Sequence, residues 1–107
     1  MITVVNTHHT KEGEYIGRGS PLGNPFSHMK GTKAQYIVSS REEAVAKYRD
    51  WLLKKIIEHD DSVIDELNRL LMLARQGDLK LRCFCAPKSC HGDVIKECLE
   101  AQLKTEN

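Results

Sequence analysis

Three of the four cysteines and one of the five histidines fall within nine positions. They lie in the run Cys83-Phe84-Cys85-Ala86-Pro87-Lys88-Ser89-Cys90-His91-Gly92-Asp93. Thiols and an imidazole at this density suit three chemistries. Cys83, Cys85, Cys90 and His91 match tetrahedral zinc in number and ligand type. The spacing fits zinc less well, because it is not a pair of separated CxxC units and adjacent Cys90 and His91 point apart unless the turn bends sharply. His8, His9 or Cys98 could complete a different set. A second chemistry is a reactive thiolate. Cys90 precedes a helix start, where the dipole and free N–H groups favour the charged thiol over those of Cys83, Cys85 and Cys98. His8, His9 or His28 could reach it through the fold. Cys90 is thus the candidate catalytic residue, and it is expected to be accessible. The third chemistry is a ligand pocket, in which the turn Cys90, His91, Gly92 and Asp93 offers a helix N-terminus to an anion.

A second stretch bears on that choice. Ile16-Gly17-Arg18-Gly19-Ser20-Pro21-Leu22-Gly23-Asn24-Pro25-Phe26 lies in a loop region, residues 7–35, that holds five of the seven glycines. Arg18 offers a two-pronged fork to a phosphate or carboxylate. Glycines let backbone donors come close, and Ser20 and Asn24 add neutral hydrogen bonds. Ile16, Leu22 and Phe26 are apolar anchors that favour order. Arg18, Gly19, Ser20 and Asn24, with Cys90, His91, Gly92 and Asp93, are the expected ligand-binding set.

Plainer readings compete with these. The glycines and prolines of residues 17–25 build tight turns. Free cysteines are commonly small buried apolar groups. Asp93 reads most simply as the N-cap of the last helix. Tyr48 and Trp51, at helical spacing, read as core.

The elements that must hold these residues are legible from periodicity. Ile2 to Val5 is a β-branched run that predicts a buried first strand, and Tyr15-Ile16 predicts a small second one. Ser40 and Glu43 form a capping box that starts a helix near Arg41. Its buried face carries Ala44, Val45, Tyr48, Trp51, Leu52 and Ile56. His59 to Ser62 interrupts the pattern. A second helix follows with Val63, Leu67, Leu70, Leu71 and Ala74 on one side, and Gly77 ends it. Leu79 to Phe84 reads as a strand. A last helix opens at Gly92-Asp93 and aligns Ile95, Cys98, Leu99 and Leu103. In open α/β folds ligands bind beyond the C-terminal ends of the strands. Both chemical stretches are expected there, one following the Ile2–Val5 strand and the other the Leu79–Phe84 strand.

Composition narrows the function further. The 107 residues make one domain, 1–107, with 40% apolar and 29% charged residues. A net charge of +1 argues against a generic nucleic-acid binder. Charge is uneven, with five basic and two acidic residues in 1–41 against six basic and nine acidic in 42–78. A locally positive, glycine-rich first part suits a small anion. No apolar run is long enough to span a bilayer, and Met1 to Asn6 lacks the layout of a signal peptide. A cytoplasmic, reducing setting is expected, with the cysteines as thiols or metal ligands.

Taken together, the two stretches resemble a small family of unknown function found in bacteriophages and bacteria. Its members share a GRGSPLGNPF-like loop and a CxCxPxxCHGD-like turn separated by an amphipathic helical region. The resemblance spans about Val4 to Leu99. It implies a compact Rossmann-like domain and, for a phage-encoded chain, a host-cytoplasm location and a host protein as partner. The reading adopted is a small single-domain α/β protein, Rossmann-like, with a central sheet and about three helices. Its expected role is binding a nucleotide or another phosphate-bearing small molecule, with processing left open. The alternative is a phage-type module that docks on a host protein, its cysteine turn structural, with or without zinc.

Overall fold

The computed structural model describes residues 1–28, 36–86 and 88–106. Gly31 of the long loop and Pro87 of the cysteine turn lie outside the described residues. The element order is β1 (Ile2–Asn6), β2 (Glu14–Tyr15), β3 (Phe26–Ser27), β4 (Tyr36–Ile37), α1 (Arg41–Ile57), α2 (Asp61–Gln76), β5 (Leu79–Cys83) and α3 (His91–Thr105).

The α/β expectation holds, with three helices and a central three-stranded sheet in the order β1-β5-β2. Both pairings are parallel: Ile2 faces Leu79 and Asn6 faces Cys83 on one side, and Glu14 faces Leu81 on the other. The Rossmann-like description fits only coarsely, since three strands fall short of the six of a full dinucleotide-binding sheet. A parallel sheet aligns its strand ends. The C-terminal ends of β1, β5 and β2 therefore share one edge, occupied by Asn6, Cys83 and Tyr15. A small parallel pair, β3 with β4, was not foreseen. Tyr36 donates its N–H to the Pro25 carbonyl at 2.8 Å, and the Phe26 and Tyr36 rings stack at 5.3 Å.

The core forms where periodicity placed it. Tyr48 and Leu52 of α1, Val63, Leu67, Leu70 and Leu71 of α2, Leu79 and Leu81 of β5, and Ile95 and Leu99 of α3 are all buried. Val45, Trp51 and Ile56 pack against that core from its margin. Helix ends follow local chemistry. The Ser40 hydroxyl accepts the Glu43 N–H at 3.1 Å. The return half of the expected capping box is redirected, because the Glu43 carboxylate takes the N–H and hydroxyl of Ser39 instead. Asp60 caps α2 by accepting the Val63 N–H at 3.2 Å. Among the described residues no helix is long and apolar enough to cross a membrane.

One buried contact joins α1 to the glycine-rich loop: the Tyr48 hydroxyl donates to the Leu22 carbonyl at 2.7 Å. Both residues have no exposed surface. Removing a donor there strands the carbonyl away from water. Tyr48→Phe is expected to lower the unfolding free energy by about 1–3 kcal/mol. Urea denaturation measures it, with an unchanged dependence on denaturant. An unaltered midpoint would mean that the loop does not hang on this bond.

Candidate functional site

The strand edge becomes a site because two loops rise from it. The first, after β2, is a series of short turns. Ser20 donates its N–H and its hydroxyl to the Gly17 carbonyl at 3.0 and 2.7 Å, and the Gly23 N–H donates to the Ser20 carbonyl at 3.1 Å. The Tyr15 hydroxyl donates to the Arg18 carbonyl at 3.0 Å. Gly19 has φ +95°, in the left-handed region, with open space around the missing Cβ. Ile16 and Leu22 are fully buried and pin the loop at two points. The loop follows β2 rather than β1, so the sequence expectation is displaced by one strand.

The second loop runs from β5 to α3. Asn6, at the end of β1, clamps it: its side-chain amide donates to the Phe84 carbonyl at 3.3 Å and the Ala86 carbonyl at 2.9 Å. Its amide oxygen accepts the His8 N–H at 2.8 Å. Lys88 donates its N–H to the Cys85 carbonyl at 2.8 Å. Helix α3 then begins one residue earlier than expected. Cys90, not Asp93, is the N-cap; its sulfur accepts the Gly92 N–H at 3.3 Å. The Asp93 carboxylate reaches back to the Cys90 N–H at 3.1 Å, completing a capping box built on a thiol.

His91 locks the loops together. It is 7% exposed, and its Nε2–H donates to the Ile16 carbonyl at 2.6 Å. A carbonyl only accepts, so the ring proton sits on Nε2. The Tyr48 ring meets the imidazole edge-on at 5.0 Å. Gly92 allows this packing: a Cβ there would lie 2.9 Å from Val4 Cγ1 and 3.0 Å from Ile16 Cδ1.

Between the loops lies a pocket of about 230 Å³. Arg18, Asn24, Cys90 and His91 of the expected set line it. Gly19, Ser20, Gly92 and Asp93 do not, because Ser20 and Asp93 spend their polar atoms on turns and caps and Gly92 is covered by side chains. Asn24 also serves the loop, accepting the Phe26 N–H at 2.9 Å and donating to the Ala44 carbonyl at 3.4 Å. Arg41 and Ser89, which sequence reasoning left out, complete the wall together with the anchor Phe26 and with His28, one of the histidines expected near Cys90. Arg41 could have been found, since it directly follows the Ser40 cap and must sit where α1 begins. Among the described residues, no carboxylate lines the pocket, and neither Arg18 nor Arg41 has an acidic partner.

The floor is sulfur. Cys83 and Cys90 bring their Sγ atoms to 3.1 Å in a buried contact. The Cys90 S–H beside Cys83 holds the Cys83 thiol well below its ordinary value, although burial opposes the shift; the N–H groups of Cys85 and Ala86 also favour the charged form. That same contact, with burial, pushes the Cys90 thiol up. These directions run opposite to the sequence expectation, with Cys83 held down and Cys90 pushed up, and Cys90 is 3% exposed rather than open. Cys85 and Cys98 are half-buried, and burial raises Cys98. The expected zinc set does not assemble. His91 Nε2 is committed to Ile16, and among the described residues no three Cys, His, Asp or Glu side chains converge on a common point.

Burial holds the His91 imidazole below its ordinary value of 6.5; the Ile16 carbonyl opposes this, Arg18 adds to it, and Asp93 opposes it. In the unfolded chain the ring regains that ordinary value, so between the two values the unfolded state binds more protons. Stability is therefore full above pH 6.5 and falls as the pH drops below it. The lowered carboxylates Glu43, Asp60, Glu97 and Glu106 act in a separate window, below their ordinary 3.8 to 4.5. Thermal midpoints measured from neutral pH downward should decline first in the histidine window, and His91→Gln should remove that first decline. A wild-type midpoint flat across that window would contradict a buried neutral imidazole.

Neither the curated proteins nor the solved structures hold a significant match to this chain. A family does match, over residues 5–101, which takes in both loops and every element from β2 to the body of α3. The chain belongs to that family, the domain of unknown function DUF4326.

Proposed function

We propose that the protein binds a nucleotide or another phosphate-bearing small molecule in the pocket between the two loops. The observation that carries this reading is charge: Arg18 and Arg41 line a concave site that, among the described residues, contains no carboxylate. A guanidinium meets phosphate oxygens with paired hydrogen bonds. The first turns of α1 and α3 border the same space through Arg41 and through Cys90 and His91. Their partial positive charge adds to the attraction. The position supports it as well, since the pocket lies beyond the C-terminal ends of parallel strands.

Size limits the ligand. At about 230 Å³ the pocket is below the range of roughly 300–1,000 Å³ that encloses drug-sized molecules. It suits a phosphate with one attached ring, and any second ring projects outward. The half-buried faces of Phe26 and Asn24 give that ring an apolar and a polar contact. We place this function in the cytoplasm, where four unpaired thiols stay reduced.

A thermal-shift panel of inorganic phosphate, sugar phosphates and nucleoside monophosphates tests the proposal. At least one should raise the midpoint of the wild type. Arg18 is exposed and, among the described residues, has no acidic partner, so Arg18→Ala should leave the unliganded midpoint nearly unchanged. The same variant should weaken binding by roughly 10- to 100-fold, the worth of one charge-assisted hydrogen bond. If the wild type and Arg18→Ala respond alike to every compound that binds, the site is misplaced.

A further inference from the structure

We propose that Cys83 and Cys90 are a redox-active pair that closes to a disulfide at the pocket floor, with hydrogen peroxide as the oxidant. Two independent placements converge to make the pair. Cys83 ends the central strand β5, and Cys90 caps α3. Their sulfurs lie 3.1 Å apart, and a disulfide needs them about 1 Å closer. Both line the pocket, so a molecule the size of peroxide reaches them although they are 1% and 3% exposed. Cys85 also lines the pocket and Cys98 lies outside it; the sulfur-to-sulfur contact joins Cys83 and Cys90. Burial excludes bulky thiol reagents and leaves the pair to small oxidants.

The roles follow from the shared contact and its surroundings: Cys83 takes the Cys90 S–H and two backbone N–H groups, whereas Cys90 takes the Gly92 N–H alone. Cys83 is the attacking thiolate, supported by the N–H groups of Cys85 and Ala86. Cys90 keeps its proton and resolves. In the first step the Cys83 sulfur attacks one peroxide oxygen; the S–O bond forms and the O–O bond breaks. The departing hydroxide takes up the proton Cys83 gave up and leaves as water. Then the Cys90 sulfur attacks Cys83; the S–S bond forms, the S–O bond breaks, and the second hydroxide leaves as water with the Cys90 proton. Two thiols lose two electrons, and the peroxide gains them.

No ligand is needed to test this, so its outcome is separate from that of the phosphate reading. The reduced full chain is treated with stoichiometric peroxide, quenched in acid, unfolded, alkylated and digested with trypsin. Cleavage after Arg82, Lys88 and Lys96 puts Cys83 with Cys85 on one peptide and Cys90 on the next. The expected product is those two peptides joined, with two hydrogens lost and with Cys85 and Cys98 alkylated. Cys85→Ser should give the same link. Cys90→Ser keeps a good N-cap, so it should fold, and its Cys83 should accumulate as a sulfenic acid that dimedone captures. A first disulfide through Cys85 or Cys98 would overturn the proposal. So would recovery of Cys83 and Cys90 as free thiols at a peroxide dose that oxidises Cys85.

Discussion

The hydrogen bond from the His91 imidazole to the Ile16 carbonyl is the contact on which the site depends. It is the point where the glycine-rich loop and the cysteine turn, distant in sequence, become one structure. Its strength comes from its surroundings. The ring is buried against Tyr48, whose hydroxyl holds the same loop again at Leu22. Two polar bonds inside an apolar setting each cost more to break than they would in water. Because α3 begins at His91, the bond also fixes where the helix starts, and with it the Cys90 cap that lies over Cys83. The pocket is the space left between two loops so joined.

Most of the architecture was legible because it rests on local signals. The apolar repeat from Ala44 to Ile56, the interruption at His59 to Ser62 and the β-branched run from Ile2 to Val5 each name an element by periodicity alone, and each appears. The β3–β4 pair was not legible, since two residues per strand carry no period. Boundaries shifted where a cap could be read two ways. Asp93 is a strong N-cap residue, yet the weaker sulfur of Cys90 takes that place because Cys83 already holds it there, and Asp93 serves as the return arm.

The site was legible in location and less so in roles. Both chemical stretches meet, and Arg18, Asn24, Cys90 and His91 share a pocket. Sequence could not show which polar groups were already committed. Ser20 looks available for a ligand but closes a turn on Gly17. His91 looks like a metal ligand but is tied to Ile16. The helix dipole points to Cys90 as the more acidic thiol; in the fold the S–H it shares with Cys83, together with burial, pushes it up instead and outweighs the Gly92 N–H. Asn6 has no local signal, since it gains its role from a segment far away in sequence.

The state of the His91 ring tests the joining of the two loops most directly. Nitrogen-15 NMR of the labelled protein distinguishes a protonated ring nitrogen from a bare one. The structure requires a neutral ring with its proton on Nε2, and the neutral form should predominate when the pH is brought down to the ordinary value of 6.5. A proton on Nδ1 in the neutral ring, or titration at or above the ordinary value, would mean that the imidazole is not held against Ile16 and that the two loops are not joined in this way.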